Sequence, residues 1–163
     1  MDKLYQSFRH WHMVPCCIIG KLSIPLAILD KKEKLIEKEY ALIYKQPEES
    51  YRWVHDYLAM GENINKEVIE DIVLKHHRKL NYSGYPDSNY IKDDKLSLSV
   101  RIVTVADIFD ALISPRSYKK SFNLCEAIDE LSRCVERKEI DGGVVKTLIN
   151  QVLYDSLLIF ILS

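Results

Sequence analysis

"NKEVIEDIVLKHHRKLNYSGYP", residues 65–86, is the stretch whose reading decides the fold. Ile69, Ile72, Val73 and His76 fall at i, i+3, i+4 and i+7, the spacing that lines one face of an α-helix. The stripe predicts a helix from Asn65 to Lys79 with His76 on its core-facing side. Each helical residue is rotated by about 100° from the last, which turns His77 off that stripe. A long polar loop follows from Leu80 to Ser97, with Gly84 and Pro86 as turn residues. Loops of this length in compact domains are often functional. The stretch is therefore either a metal site with its substrate loop or a basic helix end with an ordinary turn.

Outward from there the period stays helical. Lys34 to Lys45 carries Leu35, Tyr40, Leu42 and Ile43, and Pro47 is placed to open the next helix. Glu48 to Met60 puts Trp53, Tyr57 and either Val54 or Leu58 on one side. Val100 to Ile113 is apolar almost all round, which predicts burial. Asn123 with Glu126 forms a capping box that opens a helix to Lys138. A last helix runs from Gly143 into the apolar residues 152–163. No run alternates as a half-buried strand does, so the class is all-α, in a single domain spanning 1–163.

Composition narrows the function. The chain has 163 residues, of which 47% are apolar and 29% charged, enough for a core and for solubility. Its net charge is -1 with Lys and Arg scattered, which gives no basic stripe for a nucleic acid polymer. Cys16, Cys17, Cys125 and Cys134 lack metal-knuckle spacing and read as reduced thiols of a cytoplasmic protein. Met1 to Arg9 leads into "HWHMVP" rather than an apolar run, so no signal peptide is expected. The terminal "LLIFILS" is far shorter than the ~20 residues of a membrane span. It reads as the end of a core helix, or secondly as a docking edge for a partner.

"RIVTVADIFDALI", residues 101–113, places Asp107 and Asp110 among Ile, Val, Ala, Phe and Leu. A buried carboxylate without a partner costs several kcal/mol, so each needs a cation, a donor or a path to water. Arg101 or Arg116 would serve as an ion-pair partner. The sharper alternative is a metal held jointly with His76 and His77, because neutral imidazole and carboxylate suit Fe, Mn, Zn or Ni. A lone histidine on an apolar face is ordinarily a core residue. Here a histidine pair, a Gly-Tyr-Pro loop and an aspartate one helix later coincide.

These segments resemble the HD-GYP domains, all-helical metal-dependent phosphodiesterases of the HD superfamily, mostly bacterial, which hydrolyse cyclic di-GMP. "HHRKLNYSGYP" is similar to the signature His-His-Glu, two residues, Asp-Gly-x-Gly-Tyr-Pro. "RIVTVADIFDALISPRSYKK" is similar to the downstream Arg-Ile-x-x-Val-Ala-Asp-x-Phe-Asp-Ala-Leu-x-x-x-Arg-x-Tyr-Lys, and "IIGKLSIPLAIL" to the stretch after the family's His-Asp pair. The resemblance runs from about Cys16 to Gln151 and implies an HD-superfamily helical bundle. It implies metal ligands at His76, His77 and Asp107, a catalytic Lys21, and substrate-binding Tyr85, Arg116 and Lys119. The implied cofactor is a divalent metal, Fe or Mn. Taken as ordinary structure, Lys21 is a solvated lysine after a helix end and Tyr85 a turn aromatic packed on its own loop. Arg116 and Lys119 are then surface charges, or Arg116 neutralises one of the two aspartates.

The departures bear on activity. By resemblance the His-Asp-x-Gly-Lys run falls on Cys17, Ile18, Ile19, Gly20 and Lys21, so both defining ligands are replaced. A family His-Pro falls on Gln46 and Pro47, while Arg78 stands for Glu, Asn81 for Asp and Tyr82 for Gly. Residues 1–15 stand where the family has further helices, so an N-terminally short domain is expected. Ile18 cannot bridge two ions, so impaired catalysis is expected. A nucleotide- or protein-binding module, a decayed relic and an unusual mononuclear enzyme remain alternatives. The partners then in view are a cyclic dinucleotide, a protein docking on the Gly-Tyr-Pro loop, and a second copy in a homodimer.

Overall fold

The computed structural model describes residues 19–31, 33–57, 65–87, 89–91, 93–114 and 121–162, with side chains to 154. Among them there is no strand, only an isolated bridge between Arg78 and Gly84, and the all-α expectation holds. The chain divides into two compact units, one built on 1–77 with Tyr85–Lys95, the other on Arg78–Gly84 with Leu96–Ser163.

The first unit begins with a 3-10 turn, Gly20–Ser23, and a single helical turn, α1 (Leu26–Leu29). The helix α2 (Glu37–Tyr44) follows, its entry held by the Ile36 amide donating to Glu39 Oε2 at 2.8 Å. Next come α3 (Gln46–Tyr57) and α4 (Lys66–Lys75). The stripe on α4 is buried as its spacing requires: Ile69 at 8%, Ile72 at 1% and Val73 at 0% exposure. Such burial contributes ~1.5–3 kcal/mol per side chain. On α3 the buried apolar residues include Pro47 and Val54, while Trp53 is exposed, contrary to the side assigned to it from spacing. Leu58 and the Tyr57 side chain lie outside the described residues.

Helix α4 ends at Lys75, four residues earlier than predicted. At that end the His76 amide donates to the Ile72 carbonyl at 3.0 Å, and the His76 Nδ1 lies 3.0 Å from the same oxygen and 3.1 Å from that of Val73.

The second unit consists of α5 (Leu98–Ile113), α6 (Leu124–Glu136) and α7 (Gly142–Leu162). Ser97 caps α5, its Oγ accepting from the Val100 amide. The predicted capping box is present, with Asn123 Oδ1 accepting from the Glu126 amide and Glu126 Oε2 from the Asn123 amide. Ala127, Leu131 and Cys134 of α6 meet Val105 and Leu112 of α5 and Ile140 and Val145 in one core. Cys125 and Cys134 are free thiols. No described helix is long and apolar enough to cross a membrane.

Helix α5 is less buried than its composition implied. Asp110 is exposed and accepts from Ser114 Oγ at 3.0 Å, so it needs no buried counter-charge. Arg101, considered above as partner to one of the helix's aspartates, directs its guanidinium to Asp141 at 2.5 Å. Asp141 also starts α7, its Oδ1 accepting from the amides of Gly143 and Val144 at 2.8 and 3.1 Å. Burial of Asp141 opposes ionisation, but the Val144 and Gly143 amides and Arg101 outweigh it and hold the carboxyl below its ordinary value.

Candidate functional site

The first unit gathers an uninterrupted series of rings. His76 is 3% exposed, and its ring centroid lies 4.0 Å from that of His77. His77 stacks on Tyr85 at 4.6 Å, Tyr85 lies 4.6 Å from Tyr44, and Tyr44 lies 5.9 Å from Tyr40. The backbone fixes this arrangement locally, because the Tyr85 amide donates to the His77 carbonyl at 3.3 Å.

A carbonyl oxygen can only accept, so Nδ1 of His76 carries the proton and a neutral ring keeps its lone pair on Nε2. Metal-ligating histidines are oriented in this manner. Burial first, then the nearby His76 and Lys21, pushes His77 down to about 3, so it is neutral at physiological pH. A neutral imidazole is chemically fit to meet a divalent cation.

The remaining donors do not complete a cage. Among the described residues no group of three or more His, Cys, Asp and Glu is arranged to hold a metal ion. Asp107 is half-buried on α5, in the second unit. Cys17 and Ile18 lie outside the described residues, as do Arg116 and Lys119. Lys21 is exposed within the 3-10 turn of the first unit.

Position 46 is described in full. Gln46 is 2% exposed and donates from Nε2 to Ser50 Oγ at 3.2 Å. The same Ser50 oxygen accepts from the Gly20 amide at 3.0 Å. A Cβ on Gly20 would collide with the Gln46 carbonyl oxygen and with Ser50, so only glycine fits there. This buried Gly20–Ser50–Gln46 network was not anticipated from the sequence, although the i, i+4 spacing of Gln46 and Ser50 was open to reading.

The loop segment 78–84 belongs to the second unit and is fastened to its α6–α7 connection. The Leu80 amide donates to the Glu139 carbonyl at 2.9 Å, Asn81 Nδ2 to the Arg137 carbonyl at 3.2 Å, and Lys79 pairs with Glu139 at 2.9 Å. An aspartate at 81 has no donor for the Arg137 carbonyl, so this amide serves the loop's anchorage. Tyr82 sits at φ 64°, in the left-handed region that favours glycine, and is 77% exposed.

Two all-helical units, the first with a histidine pair at the end of α4, define the class of protein: an all-α helical domain. A family model described as an HD domain matches residues 16–144, and the chain belongs to that family, in its HD-GYP branch. It is 32% identical over 114 residues to the cyclic di-GMP phosphodiesterase PA4108 of Pseudomonas aeruginosa, covering 70% of this chain and 26% of the relative. Identity is 36% over 110 residues to the cyclic di-GMP phosphodiesterase response regulator RpfG of Xanthomonas campestris, covering 68% and 28%. It is 38% over 101 residues to the 3'3'-cGAMP-specific phosphodiesterase 2 of Vibrio cholerae, covering 62% and 18%. The chain thus spans less than a third of the length of each of these relatives.

Proposed function

We propose that this chain is a cyclic-dinucleotide module of the HD-GYP branch whose hydrolytic power is impaired by replacement of its metal ligands. The observation that carries this reading is Gln46. Where the resemblance calls for a histidine ligand, a buried amide instead bonds to Ser50, which in turn holds the backbone at Gly20. A metal ligand's place has become part of the packing. Cys17 and Ile18 extend the same change to the defining pair, and an isoleucine has no donor with which to bridge two ions. Loss of a supporting partner alone typically costs ~10–100-fold in metal affinity or activity, and three ligand losses exceed that. The cyclic dinucleotide comes from the names of the relatives, which act on cyclic di-GMP or 3'3'-cGAMP.

His76 and His77 would still contact a divalent ion, Fe or Mn, but the described donors close no site, and no catalytic step is drawn through one. The test is metal content and cyclic di-GMP hydrolysis by the purified chain with Mn or Fe. The expected result is negligible turnover, unchanged by Arg78→Glu alone. Cys17→His, Ile18→Asp and Gln46→His together should restore two bound metal ions. Turnover by the unmodified chain that His76→Ala abolishes would overturn the proposal. A second reading, a protein docking on the Gly-Tyr-Pro loop, is favoured by Tyr82, a largely exposed aromatic in a segment anchored at Glu139 and Arg137.

A further inference from the structure

The resemblance assigns substrate contact to Tyr85, but the ring series restricts what that residue can do. His77 and Tyr44 each lie 4.6 Å from the Tyr85 ring, at interplanar angles of 29° and 37°. Two ring neighbours at that distance leave little of the Tyr85 ring for a further stacked partner. Tyr85 is an interior member of the series. Tyr44, the last residue of α2, is more open: it is 47% exposed, with Tyr40 flanking it at 5.9 Å and a 30° tilt. The series therefore runs from a buried imidazole through an accessible phenol to half-buried Tyr40.

We propose that Tyr44 is a base-stacking residue, receiving a purine base of a cyclic dinucleotide on the exposed part of its ring, beside Tyr40 in the Tyr40–Tyr44–Tyr85–His77–His76 series. This inference rests on the cyclic-dinucleotide reading above and adds a recognition residue that lies outside the motifs carrying the resemblance. Three features support it. Stacking on an aromatic residue already fixed by its neighbours loses little side-chain freedom on binding. Every base has a π-face, so the contact tolerates guanine and adenine alike. A positive charge for the phosphate is available in the same unit, where Lys21 is exposed.

The experiment is calorimetric titration of the full chain with cyclic di-GMP, with pyrophosphate as a base-free probe. Tyr44→Ala and Tyr44→Leu should each weaken cyclic di-GMP binding by about tenfold or more, as loss of a stacked base contact does. Tyr44→Phe and Tyr44→Trp should bind as the unmodified chain does, and pyrophosphate binding should be the same in all five proteins. The leucine variant keeps most of the apolar volume over Tyr85, so it separates loss of a π-face from loss of packing. Tyr44→Leu binding cyclic di-GMP within twofold of the unmodified chain would overturn the stacking role alone. Equal weakening of both probes would also overturn it, by tracing the effect to the phosphate end. Absence of cyclic di-GMP binding by the unmodified chain would overturn the cyclic-dinucleotide reading and the stacking role with it.

Discussion

Gly20→Ala is the most demanding test of the buried Gly20–Ser50–Gln46 network. The added methyl has no room: it would overlap the Gln46 carbonyl oxygen and press on Ser50 Oγ and the Ser50 amide nitrogen at 2.5 and 2.9 Å. Two of these three atoms are backbone in α3, so no rotamer change relieves the contact. Forcing a methyl into a packed interior costs ~1–3 kcal/mol. If the chain shifts to admit it, the Gly20 amide leaves Ser50, and an unmet buried donor costs a further ~1–3 kcal/mol. A loss of about 2–6 kcal/mol is therefore expected, set against a typical total stability of ~5–15 kcal/mol. Urea unfolding followed by far-ultraviolet circular dichroism should show it. With a slope of ~1–3 kcal/mol per molar, the midpoint falls by about 1 M or more. Ser50→Gly in the same background should not restore stability, because the Gln46 carbonyl remains in the way. An alanine variant with an unchanged midpoint, or full rescue by Ser50→Gly, would refute the packing argument.

Tyr82→Gly should leave stability unchanged or raise it by up to about 1 kcal/mol, since a left-handed conformation costs non-glycine residues ~1–2 kcal/mol and glycine returns only part of that as unfolded-state entropy. A fall in urea midpoint on that substitution would mean that the exposed ring holds the loop in place. Glu139, paired with Arg137 and Lys79, is held at about 2 against an ordinary 4.5. A lowered carboxylate stabilises above its unfolded value, so the stability gap between the unmodified chain and Glu139→Gln should be full above pH ~4.5 and close as pH falls toward 2. Unfolding measured across that range checks it, and a gap independent of pH would show that charge plays no part.

How much of this was legible beforehand depended on which forces left a periodic trace. The α4 stripe and the Asn123–Glu126 capping box were readable because burial and capping act at fixed spacings along one helix. The end of α4 at Lys75 left no signal because no glycine or proline marks it. Spacing grouped Trp53 with either Val54 or Leu58 on one side of its helix; Val54 is buried there, while Trp53 is 44% exposed. Arg101 was considered as partner to the aspartates on its own helix, while its partner lies 40 residues away at Asp141. Pairing across that separation leaves no signal in local pattern. Tyr44 was missed for the same reason, since its neighbour Tyr85 is brought to it only by the fold.

The Gly20–Ser50–Gln46 hydrogen bonds have a consequence for how the chain matures. Every donor and acceptor among them is supplied at synthesis, in one polypeptide, with no ion to wait for. Domains whose interior is closed by a metal fold only as fast and as fully as their cell can deliver it. Where a glycine amide, a serine hydroxyl and a glutamine side chain close a corner instead, that corner is set by the polypeptide alone.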